Sequence, residues 1–191
     1  MCELNVTKKK TKIILNTTET NMKQVISEQD LQDRISKLAL TIHKTEFDSK
    51  TPMVFVGILN GAFMFFSDLV KKIGLPMEID FVRVKSYDGQ NRKEIKFTKD
   101  LETDINGKHV YLVDDIIDSG HTMKFLIDHF KERGATNVTP IAAVYKDNLV
   151  IQDALCILRY SQDSPWFVGY GMDHEDGTCR NIETILELNG E

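Results

Sequence analysis

The sequence predicts an α/β fold, a largely parallel sheet with helices on both faces. Three observations carry that prediction. Short apolar runs of strand length recur at 53–59, 108–113 and 140–145, and Pro, Gly or Asn bounds several of them, as expected of buried strands. Between them lie longer segments whose apolar residues return at helical spacing. Strand and helix therefore alternate, as in βαβ units. A chain of 191 residues can bury one sizeable core, so a single domain over 25–191 is the simplest organisation.

Residues 1–24 are polar, rich in Lys, Thr and Asn, and without a sustained period, so they read as an N-terminal extension that need not be ordered. Ser27-Glu28-Gln29-Asp30 is an acidic variant of the capping box, and Leu31, Ile35, Leu38 and Ile42 then line one helical face. Pro52 and Asn60-Gly61 bracket the strand at 53–59, and a strongly apolar helix follows at 62–70. Residues 77–84 alternate like a strand, 86–91 carry loop chemistry, and 94–97 fit the return strand of a hairpin. The central strand is 108–113, followed by a helix at 123–133 closed by Gly134. Strands at 140–145, 154–158 and 167–170 complete the sheet.

A net charge of −5 gives no general attraction to nucleic acid or to an anionic membrane. No apolar run approaches the ~20 residues that span a bilayer. Three cysteines without a CxxC spacing indicate neither a disulfide framework nor a zinc site, which suits a reducing cytoplasm.

The most informative stretch runs from Val110 to Met123. It reads as a strand ending on Asp114 and Asp115, a short turn, and a helix start carrying Asp118, Ser119, Gly120 and Thr122. Unpaired N–H groups at a helix N-terminus favour an anion, hydroxyls add donors, and glycine permits close approach. Adjacent carboxylates beside such a turn suit sugar hydroxyls or a hydrated divalent cation. One sugar phosphate would satisfy both halves. Asp118 alone could equally be a plain helix cap.

The same stretch resembles the ribose-phosphate motif of type I phosphoribosyltransferases: four apolar residues, two acids, two apolar residues, Asp, Ser or Thr, Gly, any residue, Thr. A response-regulator receiver also places an acid pair after a strand, but on its first strand rather than past mid-chain. Residues 57–65 are similar to the family's pyrophosphate loop, with Asn60 where many members carry a cation. Val84-Lys85-Ser86-Tyr87 resembles its mobile loop, and 166–173 with Arg180 resembles its base-binding segment. The likeness spans about 25–188 and is to the purine-salvage branch. It implies the type I phosphoribosyltransferase fold, a mostly parallel sheet with a small hood made from both chain ends. It implies transfer of ribose 5-phosphate from phosphoribosyl pyrophosphate to N9 of hypoxanthine or guanine, giving IMP or GMP and pyrophosphate.

The resemblance assigns roles residue by residue. Asp114 and Asp115 hold the ribose hydroxyls and Mg2+, Ser119, Gly120, His121 and Thr122 hold the 5′-phosphate, and Asp118 is the base that takes a proton from purine N7. Lys146 donates to purine O6, Trp166 stacks on the base and Phe167 offers its backbone. Asp173 holds a second Mg2+ and contacts the purine. Asn60, Gly61 and Arg180 hold the pyrophosphate, and Ser86 and Tyr87 lie in the loop that closes. The 2-amino group of guanine would meet backbone carbonyls near Phe167 and Asp173. A homodimer or homotetramer is implied, with no nucleic-acid partner. A regulator that senses phosphoribosyl pyrophosphate while binding RNA or DNA is the rival, and it would need a basic face or an added domain. A phosphoribosyltransferase for xanthine or a pyrimidine would differ in its base segment.

Overall fold

The computed structural model describes residues 10–15, 18–88, 93–146, 151–161 and 166–188. Among these residues the order is β1 (Lys10–Leu15), β2 (Thr18–Gln24), α1 (Glu28–Glu46), β3 (Met53–Ile58), α2 (Phe63–Ile73), β4 (Glu78–Asp88), β5 (Lys93–Lys99), β6 (His109–Ile117), α3 (His121–Glu132), β7 (Asn137–Lys146), β8 (Leu155–Tyr160), β9 (Phe167–Val168) and β10 (Leu186–Leu188). The larger sheet has the order β5-β4-β3-β6-β7-β8. All its neighbours run parallel except β5, which turns back antiparallel on β4 at one edge. A smaller antiparallel sheet, β1-β2-β10-β9, joins segments from both chain ends.

The period of two along each strand divides the core between two faces. Phe55, Tyr111 and Val113 pack on one side with Leu31, Ile35 and Ile42 of α1 and Phe65 and Leu69 of α2. Val54, Val56, Val110 and Leu112 face the other side with Met123, Leu126 and Phe130 of α3. Helices on both faces leave the strands no wet side, which is why their sequences are continuous apolar runs. At the start of α1, Ser27 Oγ accepts from the Asp30 N–H at 3.1 Å and its hydroxyl donates to the Asp30 carboxylate at 2.7 Å. Ser27 therefore caps the helix, and Asp30 holds the capping hydroxyl rather than the backbone N–H of Ser27. No helix among the described residues is long and apolar enough to cross a membrane.

Several boundaries differ from the sequence-based expectation; the strand expected at 167–170 ends at Val168 and joins the smaller sheet through β10. Residues 1–24 are not wholly an extension, because β2 pairs with β10 through Gln24 and Leu186, and Met22 is buried. Its partner lies at the far end of the chain, so no local period marks it. Ser86 and Tyr87 belong to β4 and pair with Ile95 and Glu94 rather than lying in a loop. Residues 89–91 of the expected loop lie outside the described residues. The central strand also continues past the acids to Ile117, because β7 supplies partners for Asp114, Ile116 and Ile117 in Ala142, Val144 and Tyr145.

Candidate active site

The carboxyl ends of β3, β6 and β7 meet the segment 166–180 at one end of the sheet, where ligands of open α/β sheets bind. The junction from β6 to α3 turns on Gly120, at φ 73°, a left-handed conformation that a side chain would oppose. Gly120 is the cap residue of α3, with no side-chain cap, so the alternative role of Asp118 as helix cap is excluded. A cleft of about 100 Å³ opens here, lined by Asp114, Asp118, Ser119, Gly120 and Thr122 among others. His121 is exposed at the first position of α3. Uncapped N–H groups, two hydroxyls and the dipole end converge on that cleft, the equipment for a phosphate.

Asp114 and Asp115 are adjacent on β6, and their carboxyl groups lie within reach of one another. Asp114 lines the cleft over α3, while Asp115 faces the loop after β3, where a methyl group at Gly61 would overlap its carboxylate. The Asp115 N–H donates to Asp114 Oδ1 at 3.0 Å, and the Ile116 N–H to Asp115 Oδ1 at 2.9 Å. Burial, then the neighbouring Asp115 charge, pushes the Asp114 carboxyl well above the usual range. Burial also raises Asp115, against the opposing effect of its hydrogen bonds and of the Arg180 charge. A cation or a shared proton would relieve this pair. Among the described residues no three His, Cys, Asp or Glu side chains gather into a metal cluster. The donor set therefore fits a hydrated hard cation that keeps water and substrate oxygens in its shell, rather than a closed protein cage.

Beside this pair lies a second cleft, about 110 Å³, lined by Asp115, Ile116, Asp118, Lys146, Trp166, Phe167, Met172 and Asp173. Lys146, at the end of β7, reaches Asp118 with Nζ 2.8 Å from Oδ1, although 28 positions of sequence separate them. The lysine side chain is only 14% exposed and the aspartate 65%, so the pair presents its carboxylate outward. The same cleft is lined by Trp166, more than half exposed, whose indole Nε1–H donates to the Asp173 carbonyl at 3.0 Å. Phe167 is buried on β9.

Arg180 is placed differently from the expectation. Its guanidinium donates to the Gly171 carbonyl at 2.7 Å and pairs with the Asp173 carboxylate, so it braces the base segment instead of reaching freely for a pyrophosphate. Asp173 is thereby charge-compensated and stands apart from any metal cluster with Asp114 and Asp115. Asn60 and Gly61 lie in the turn between β3 and α2, which is closed by the Ala62 N–H to Ile58 carbonyl bond at 3.2 Å. The side chains of Ser86 and Tyr87 lie outside the described residues.

Sequence reasoning missed how the walls are joined. A Cβ on Gly171, at φ 99°, would overlap the Gly61 carbonyl oxygen, so the base segment rests directly on the loop after β3. Tyr170 donates its hydroxyl to Asp68 of α2 at 2.7 Å, and Gln32 of α1 donates to the same carboxylate oxygen at 2.9 Å. Burial acts to raise Asp68, but the bonds from Lys71, Tyr170 and Gln32 outweigh it and hold the carboxyl below its usual range. The paired glycines of Gly169-Tyr170-Gly171, inside the segment likened to a base-binding one, are the available signal, since such glycines mark a backbone that must approach another closely.

The family described as phosphoribosyl transferase domain matches residues 21–174. A hypoxanthine-guanine phosphoribosyltransferase of Streptococcus pyogenes serotype M3 is 34% identical over 173 residues, which cover 88% of this chain and 94% of that protein. The bifunctional protein TilS/HprT of Listeria monocytogenes is 35% identical over 174 residues, 88% of this chain but 26% of that protein. The chain thus spans about a quarter of those bifunctional relatives. Among solved structures, a hypoxanthine phosphoribosyltransferase from Staphylococcus aureus superposes with a TM-score of 0.79 at 30% identity, covering 87% of this chain and 90% of that one.

Proposed function

The chain belongs to the phosphoribosyl transferase family, and from that premise we propose that it transfers ribose 5-phosphate from phosphoribosyl pyrophosphate to N9 of hypoxanthine or guanine, a purine-salvage reaction. The observation that carries this reading is the Lys146–Asp118 pair, which lines one cleft with Trp166 and adjoins the phosphate-suited junction of β6 and α3. The bond from ribose C1 to the pyrophosphate oxygen breaks with its electron pair leaving on pyrophosphate, and a bond from C1 to N9 forms. Asp118 takes the proton released at N7. Lys146 donates to O6, which adenine cannot match because it presents an amino donor there.

Ser119, Gly120, His121 and Thr122 hold the 5′-phosphate, and Asp114 and Asp115 hold the ribose hydroxyls. The turn at Asn60 and Gly61 binds pyrophosphate through backbone N–H groups, which does not require a cationic side chain. Asp114 and Asp115 would hold Mg2+, which supplies charge neutralisation to the departing pyrophosphate. Asp173, braced by Arg180, shapes the base wall and is the weaker metal candidate because its charge is already compensated. Ser86 and Tyr87, on the distal arm of the β4–β5 hairpin, belong to the element that closes over the site. The protein acts in the cytoplasm as a homodimer or homotetramer, a reading supported by the exposed Leu40, Phe47 and Phe63 on α1, its C-cap and α2.

A spectrophotometric assay with phosphoribosyl pyrophosphate, Mg2+ and each of hypoxanthine, guanine, xanthine, adenine and uracil tests the reading. Turnover of a 6-oxopurine and none of adenine or uracil is expected. Binding of phosphoribosyl pyrophosphate without turnover of any base would overturn it in favour of a sensor.

A further inference from the structure

We infer that Asp68 is a positioning residue for the purine: through Tyr170 it pins the segment 166–173 to α2, the helix that follows the turn at Asn60 and Gly61. The inference deepens the functional reading above and rests on it. Asp68 lines neither cleft, so its effect is carried by the residue it holds.

The carboxylate divides its bonds between two sides. Oδ1 receives Nζ of the exposed Lys71 at 2.9 Å, a pair within one turn of α2 that is worth little at a surface. Oδ2 receives two donors from distant parts of the chain, Gln32 Nε2 of α1 at 2.9 Å and the Tyr170 hydroxyl at 2.7 Å. Two helices and the base segment thus converge on one oxygen. Tyr170 is only 1% exposed, and a hydroxyl at that depth requires an acceptor. Burial, then the bond to Asp68, pushes that hydroxyl above the usual tyrosine range, so it remains a donor.

The bond sits where it can set the placement of the base. Tyr170 adopts φ 50° between two glycines, a left-handed conformation that costs a tyrosine energy and that its buried bond offsets. Its N–H donates to the Ile182 carbonyl at 2.8 Å and the Gly171 N–H to the Arg180 carbonyl at 2.9 Å, so the segment moves as a unit with Met172 and Asp173, which line the cleft. Gly171 rests on the Gly61 carbonyl, one point of contact about which the segment could pivot. Tyr170 on Asp68 supplies a second point further along α2. In the proposed reaction the turn holds the departing pyrophosphate and the segment holds the purine, so one helix registers both. Transfer needs N9 aligned with ribose C1, and a displacement of roughly 1 Å is costly.

The test measures KM for hypoxanthine and for phosphoribosyl pyrophosphate in three variants, with thermal unfolding alongside. Tyr170→Phe removes one oxygen and keeps the ring in its packing. It should raise KM for hypoxanthine by about 10-fold, the worth of one hydrogen bond to a charged group, and leave KM for phosphoribosyl pyrophosphate within about 2-fold. Asp68→Ala should do the same. Asp68→Asn keeps an amide oxygen where Oδ2 stands, so its purine KM should stay within about 3-fold of the unaltered protein's. If Asp68→Ala does not fold, Tyr170→Phe set against Asp68→Asn decides. An unchanged purine KM in Tyr170→Phe, equal rises in both KM values, or a rise in Asp68→Asn as large as in Tyr170→Phe overturns the inference and leaves the functional reading standing. No turnover of hypoxanthine or guanine by the unaltered protein overturns the functional reading and this inference with it.

Discussion

Asp118 is mostly exposed yet 2.8 Å from a largely buried lysine, so it is oriented by Lys146 without being shut away from a ligand. Replacing it with asparagine preserves the shape and removes the proton acceptor. Asp118→Asn should lower kcat by about 10²- to 10⁴-fold while IMP affinity changes little, as read by steady-state kinetics and calorimetry. Unchanged turnover would take Asp118 out of the proton-transfer role. Gly171 offers a second test at this scale. Its φ of 99° and its contact with Gly61 leave no room for a methyl group. Gly171→Ala should cost at least about 2 kcal/mol in chemical denaturation and weaken substrate binding, because the base wall would lift off the loop after β3. The placement of Asp118 and Lys146 at the site was legible in the sequence, through the motif and the strand-end position. That they touch was not, since it follows from the register of β6 on β7.

Elements announced themselves when their signal was local. β3, β6 and β7 are short apolar runs because α1, α2 and α3 cover both faces, and the cap of α1 is written in four consecutive residues. β2 and the distal part of β4 were misread because what orders them is a partner strand and not their own pattern. Asp80 on β4 is another device of this kind. Its carboxylate accepts from the N–H groups of Phe81, Glu102 and Thr103 and from Lys99 Nζ, tying the strand to the segment that leads into β6. Burial raises its pKa, but these bonds outweigh burial and bring it from 3.8 down to about 2. The folded value is the depressed one, so the stabilisation is fully present above the unfolded pKa near 4 and is lost as pH falls toward 2. It amounts to about 2 kcal/mol. Asp80→Asn should remove about that much at pH 7 and flatten the acid limb of stability between pH 4 and 2, measured by urea denaturation across that range.

Across the whole molecule, the ends of β6 and β7 supply one side of the two clefts, and the segment 166–173 supplies another, the sides that the proposed function gives to the sugar phosphate and to the base. β10 sits between β2 and β9, so the base wall is anchored through the N-terminal strand, with Met22, Val168, Cys179 and Leu186 in one small apolar cluster. Deleting residues 1–24 should therefore lower stability by about 2–4 kcal/mol and raise KM for the purine more than for phosphoribosyl pyrophosphate. Thermal unfolding and kinetics of the truncated chain check this, and an unchanged purine KM would mean that the wall stands without β2. The same arrangement bears on birth at the ribosome. Chain growth is vectorial, and β2 is synthesised before β3 to β9 while its partner, residues 186–188, follows them. The nascent chain can assemble β3 through β7 and their helices while β2 waits for its partner β10. The nascent polypeptide can thus shape the cleft at the β6–α3 junction before the segment 166–173 is anchored, which requires that β10 has left the exit tunnel.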